Sequence, residues 1–111
     1  MTKKHIVYRN MNKKVNVNGH IVEVTTVKGL AEIIGRSRPT ILRWEKQGIL
    51  PPAPFNIGNF RYYPVNFCQE LYKIVSKFKT NKTPNADLII QINRLYKEEL
   101  EKYAKEDNNK G

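Results

Sequence analysis

A chain of 111 residues has room for one modest hydrophobic core and not for two. Its Lys and Arg number 20 against 10 Asp and Glu, and the net charge of +10 favours a polyanionic partner, nucleic acid or an anionic membrane surface. No apolar run approaches the roughly 20 residues that cross a bilayer. A single cysteine excludes an internal disulfide, and with two scattered histidines it excludes a zinc site of the usual spacing.

The charge is unevenly placed. Residues 1–25 carry +4, residues 26–83 carry +7 and residues 84–111 carry −1. A membrane-surface helix gathers its basic residues on one face. Here they fall in short helices and turns, which suits nucleic acid better. Met1 to His5 lacks the apolar core of a signal peptide, so a cytoplasmic location is expected. Rich Lys, Asn and Ile usage hints at an AT-rich genome, that of a phage or a low-GC bacterium.

In chain order, His5 to Arg9 is a strand candidate, and Val15 to Val24 reads as a β-hairpin about Asn18-Gly19, a pair suited to a turn with positive φ at both positions. That register sets Val17 against His20 and Val15 against Val22. Thr25 or Thr26 caps a first short helix whose buried face is Leu30, Ala31, Ile33 and Ile34, and Gly35 ends it. Ser37 caps a second, with Arg38 and Pro39 in its first two positions and Ile41, Leu42 and Trp44 on its apolar side. Gly48 closes it. Ile49-Leu50 is a short strand candidate. Pro51, Pro52 and Pro54 force an extended path, Asn56 to Asn59 holds a turn, and Phe60 to Tyr63 returns as a strand. Pro64 starts another helix, lined by Phe67, Leu71, Ile74, Val75 and Phe78 at helical spacing. Thr80 to Pro84 is a linker. Asn85 to about Asp107 reads as a long helix of roughly 35 Å. It carries the pairs Glu98–Lys102 and Glu101–Lys105, and a frayed tail follows from 108 to 111.

Four features then fall in order: Leu30-Ala31, Gly35-x-Ser37, the Thr40-to-Trp44-Glu45 helix running into Gly48-Ile49-Leu50-Pro51-Pro52, and Arg61-x-Tyr63. Over residues 25–78 the chain resembles the winged helix-turn-helix of the mercury-resistance regulator (MerR) superfamily, in particular its small branch of phage excisionases and related phage DNA-binding proteins. The resemblance implies a winged helix-turn-helix at 25–79; with the β-hairpin extension at 1–24 and the C-terminal helix, both read from the residues themselves, the fold expected is α+β. It implies that the second helix enters the major groove of double-stranded DNA while the wing, 51–61, lies on the flank. Carried over, Arg36, Ser37, Arg38, Thr40, Arg43, Lys46 and Arg61 are the DNA-binding candidates. Arginine reads guanine with two donors and grips phosphate, and two arginines at a helix start work against the macrodipole, which calls for a reason. Leu42 departs from the family, whose regulators usually place an arginine there. The metal-binding cysteines and drug-binding domain of larger members have no counterpart, and the hairpin is unexplained.

Plainer readings stand beside these. Trp44 and Cys68 are expected in the core. Arg61 is either a contact residue or a structural partner of Glu45 or of a tyrosine. The C-terminal helix either folds back or pairs with a second copy through Ile89, Ile92, Tyr96 and Tyr103, and its nearly all-round apolar first half favours a homodimer. No catalytic set and no glycine-rich phosphate loop is present, so neither an enzyme nor a cofactor is expected. The function expected is a transcription regulator. The alternatives are a phage excisionase or terminase-type DNA-binding factor, and a basic adaptor for an acidic protein.

Overall fold

The computed structural model describes residues 12–77 and 84–104. The strand candidate at His5 to Arg9, Phe78, linker residues 80–83 and everything after 104 lie outside them. The hairpin forms as the Asn-Gly pair dictates: β1 (Lys13–Val17) and β2 (His20–Thr26) pair antiparallel with Val17 opposite His20 and Val15 opposite Val22. The turn takes positive φ at Asn18 (53°) and Gly19 (91°). Less legible was the far end of β2. It runs on through Thr25 and pairs with the strand that returns from the wing, setting Val24 against Pro64, Thr25 against Tyr63 and Thr26 against Tyr62. The sheet order is β1-β2-β4-β3, so the hairpin supplies two strands of the wing's own sheet. Val22, Val24 and Tyr62 form a small second core there, with Val15, Val17, Phe55, Ile57 and Tyr103 packed around it.

Helix α1 (Val27–Ile34) is capped by Thr26, whose hydroxyl accepts from the Gly29 N–H at 3.1 Å. It stops at Gly35, in the left-handed region at φ 73°. Leu30, Ala31 and Ile34 are buried, while Ile33 is only partly covered. Helix α2 (Arg38–Lys46) starts at Ser37, whose hydroxyl accepts from Thr40 N–H at 3.2 Å. Ile41 and Trp44 fasten it to the main core. The strand expected at Ile49-Leu50 is absent. Both N–H groups turn back to the Trp44 carbonyl, at 2.9 and 3.2 Å, so the pair wraps the end of α2 and buries its side chains. The wing follows as β3 (Phe55–Ile57) and β4 (Phe60–Pro64), and Val65–Val75 forms α3. Cys68 on α3 is fully buried, which pushes its thiol pKa up.

Helix α4 (Ala86–Glu101) is shorter than its apolar pattern suggests. At 1.5 Å per residue it spans about 24 Å. Its end tightens: the N–H groups of Lys102, Tyr103 and Ala104 bond to carbonyls three residues back. Tyr103 is drawn to the hairpin, where Asn18 donates to its carbonyl at 2.8 Å and its ring meets His20 edge-on at 6.1 Å. Lys102, expected opposite Glu98, pairs instead with Glu99 at 3.2 Å. Part of the stripe expected to meet a second copy packs on its own domain. Ile92 is 0 % exposed within the main core, and Ile89, Leu95 and Tyr96 pack against that core. Part of the apolar half of α4 finds cover on α3, in the core that holds Phe67, Cys68 and Leu71, while Ile90 stays 58 % exposed.

Candidate nucleic-acid interface

Helix α2 presents three kinds of side. Ile41 and Trp44 point inward. Pro39, Arg43 and Lys46, spaced by four and three residues, share the outward face and are exposed. Arg38, at the first helical position, lies on the side towards the wing. Basic groups in the last turn suit the negative end of the helix dipole; Arg38 at the positive end does not, and no acidic residue offsets it in the first turn. An exposed cation at an unfavourable place calls for an anion from outside.

Arg38 lines a groove of about 390 Å³ together with Thr26, Val27, Lys28, Asn59, Phe60 and Arg61. The groove runs between the starts of α1 and α2 and the tip of the wing. Its three charged residues are all cationic. Phe60 at the wing tip is 62 % exposed, a large apolar side chain held out beside these cations. Lys28, Asn59 and Phe60 were not foreseen as site residues. Lys28 sits just behind the Thr26 cap and Phe60 just after the wing turn, but only the sheet brings those two places together.

The other expected residues divide. Ser37 caps the start of α2, and its hydroxyl lies 2.8 Å from that of Thr40. Arg36, expected to face DNA, turns inward. Its guanidinium reaches the Val75 carbonyl at 3.4 Å and those of Ile34 and Gly35 at 3.5 Å, capping the negative ends of α3 and α1. Arg61 takes the structural one of its two readings. Two of its nitrogens meet the Glu45 carboxylate at 3.1 and 2.9 Å. That bond, above the opposing effect of burial, raises the arginine pKa. The same carboxylate accepts from the Tyr63 hydroxyl at 2.5 Å. Glu45 thus ties α2 to the wing strand β4, and Trp44 beside it fills the core beneath.

Among the described residues no group of His, Cys, Asp and Glu is arranged to hold a metal, and no helix is long and apolar enough to cross a membrane. Residues 25–87 match the family described as MerR HTH family regulatory protein. Neither a curated protein nor a solved structure matches the chain.

Proposed function

The chain belongs to the MerR family of helix-turn-helix regulatory proteins, and on that premise we propose that it reads a specific sequence in double-stranded DNA and so controls transcription. The observation that supports this most is the joint placement of α2 and the wing: Arg43 and Lys46 stand on one exposed face, and Arg38, Lys28 and Phe60 surround the groove beside it. In this mode α2 lies in the major groove. Arg43 reads a base edge, where a two-donor fork discriminates guanine. Lys46, Arg38 and Lys28 meet phosphates, and the Ser37–Thr40 end of α2 offers backbone N–H groups to another. The wing covers the flank with Phe60 at its tip. Arg36 and Arg61 act indirectly, by fixing helix ends and wing. No catalytic group and no cofactor enters the reading, and its target places the protein in the cytoplasm of a bacterium or phage-infected cell.

The binding unit proposed is one chain on one half-site, because Ile92 of the α4 stripe is buried in its own domain and the partly exposed Ile89 and Tyr96 pack against the same core. That observation favours a phage recombination or packaging factor as the second reading. Selection of random duplexes on the purified protein at near-physiological salt tests both. A single or directly repeated consensus supports the one-chain unit and the second reading. A palindrome requires two copies to meet and supports the regulator. No enrichment sinks base reading and points to a basic adaptor on an acidic protein.

A further inference from the structure

The arm between recognition helix and wing, Pro51-Pro52-Ala53-Pro54, has an unusual poverty of donors. Its three prolines carry no N–H, so the arm is held at these residues chiefly through its carbonyls. Two tyrosine hydroxyls supply the bonds. Tyr63 lies 2.7 Å from the Pro51 carbonyl oxygen, and Tyr96 of α4 donates to the Pro52 carbonyl at 2.9 Å. Tyr63 has one proton and a charged competitor for it, the Glu45 carboxylate at 2.5 Å. Tyr96 therefore makes the undivided bond to the arm.

Its placement is built in. The Tyr96 ring stands edge-on to Phe67 at 5.6 Å, and Phe67 stacks on Tyr63 at 5.8 Å. Ile92, one turn earlier, is locked in the core. The chain of contacts runs from α4 through three aromatic rings to Glu45 on the recognition helix and Arg61 on the wing. The family match ends at residue 87, at the start of α4, so Tyr96 lies beyond the segment that carries the family's helix-turn-helix.

We infer that α4 is a brace for the DNA-binding surface and that Tyr96 is a positioning residue, setting the angle of the wing to the recognition helix without touching DNA. This rests on the DNA-reading function proposed above. The test is Tyr96→Phe, which keeps the ring on Phe67 and removes only the hydroxyl. Two quantities are compared with wild type: amide chemical shifts of residues 55–61 in the free protein, and duplex affinity over a range of salt. We expect shifted wing amides with a nearly unchanged melting temperature. We also expect a roughly threefold to tenfold loss of affinity and a salt slope shallower by about one released ion, from a lost wing contact to phosphate. A general loss of stability would move neither the slope nor the wing shifts selectively. If wild type binds and the variant matches it in either quantity, the brace is overturned. A wild type that binds no duplex overturns the DNA-reading function, and this inference with it.

Discussion

Arg61 on the wing strand and Glu45 on the recognition helix face each other in a two-point ion pair, 2.9 and 3.1 Å long, in which the arginine is partly exposed and the carboxylate nearly buried. The pair joins the two elements that, in the proposed mode, approach one DNA duplex together. Because the arginine side chain keeps 37 % of its exposure, solvent screens the attraction, and a coupling of about 1 kcal/mol is expected. Thermal unfolding of Arg61→Ala, Glu45→Ala and the double variant measures it. Glu45→Ala is expected to be the more damaging single change, because it strips a bond from Tyr63 as well. Fully additive losses would refute the pairing.

Arg43 and Lys46 share the exposed face of α2 but differ in chemistry. Arg43→Ala is expected to relax sequence preference, costing about 1–3 kcal/mol on the preferred duplex and less on random DNA. Lys46→Ala is expected to weaken all duplexes alike and to lower the salt slope by about one. Competition binding with selected and random duplexes separates the two. Equal loss on both duplexes in both variants would sink the assignment.

Gly29 sits inside α1, where alanine normally stabilises a helix by up to about 1 kcal/mol. Here a Cβ would lie 1.9 Å from Thr25 Oγ1 and 3.0 Å from Thr25 Cβ. Thr25 is fully buried and β-branched, so it has little freedom to move aside. Gly29→Ala is therefore expected to destabilise by roughly 1–3 kcal/mol, seen as a lower melting temperature. A gain would show that the start of α1 can slide on the sheet.

Burial first, and then the bond to Glu45, pushes the Tyr63 phenol well above its ordinary 10.0. A group whose folded pKa is raised contributes stability that is complete below the unfolded pKa and is lost as pH rises past it. Above about pH 10 the unfolded chain sheds a proton that the folded chain keeps, and stability falls by up to about 1.4 kcal/mol per pH unit for this group. Tyr103 is raised too, by burial and then by Glu99, and adds to the fall. Urea midpoints measured on the alkaline side are expected to drop less steeply in Tyr63→Phe than in wild type. Parallel slopes would remove Tyr63 from the account.

Local chemistry determined a large part of this protein. Asn18-Gly19 set the hairpin register, because few other pairs accept positive φ twice in succession. Thr26, Gly35, Ser37 and Gly48 marked helix limits, because caps and left-handed turns are decided within a few residues. The spacing of Ile41, Trp44, Arg43 and Lys46 settled which side of α2 faces inward and which outward. The four ordered features from Leu30 to Tyr63 were enough to indicate the family. What only the tertiary structure decided were relations between distant segments. Arg36 looked like a contact residue until the end of α3 brought a carbonyl to it, and Arg61 stood between a contact and a pairing with Glu45 until the packing of α2 on the wing made the pair. The stripe of Ile89, Ile92 and Tyr96 is apolar whether it meets a second copy or its own core. Periodicity records that a face must be covered, and says nothing of what covers it. The joining of the hairpin to the wing, and the reach of Tyr96 to Pro52 across 44 residues, depend on strand pairing and packing between parts of the chain that share no local signal.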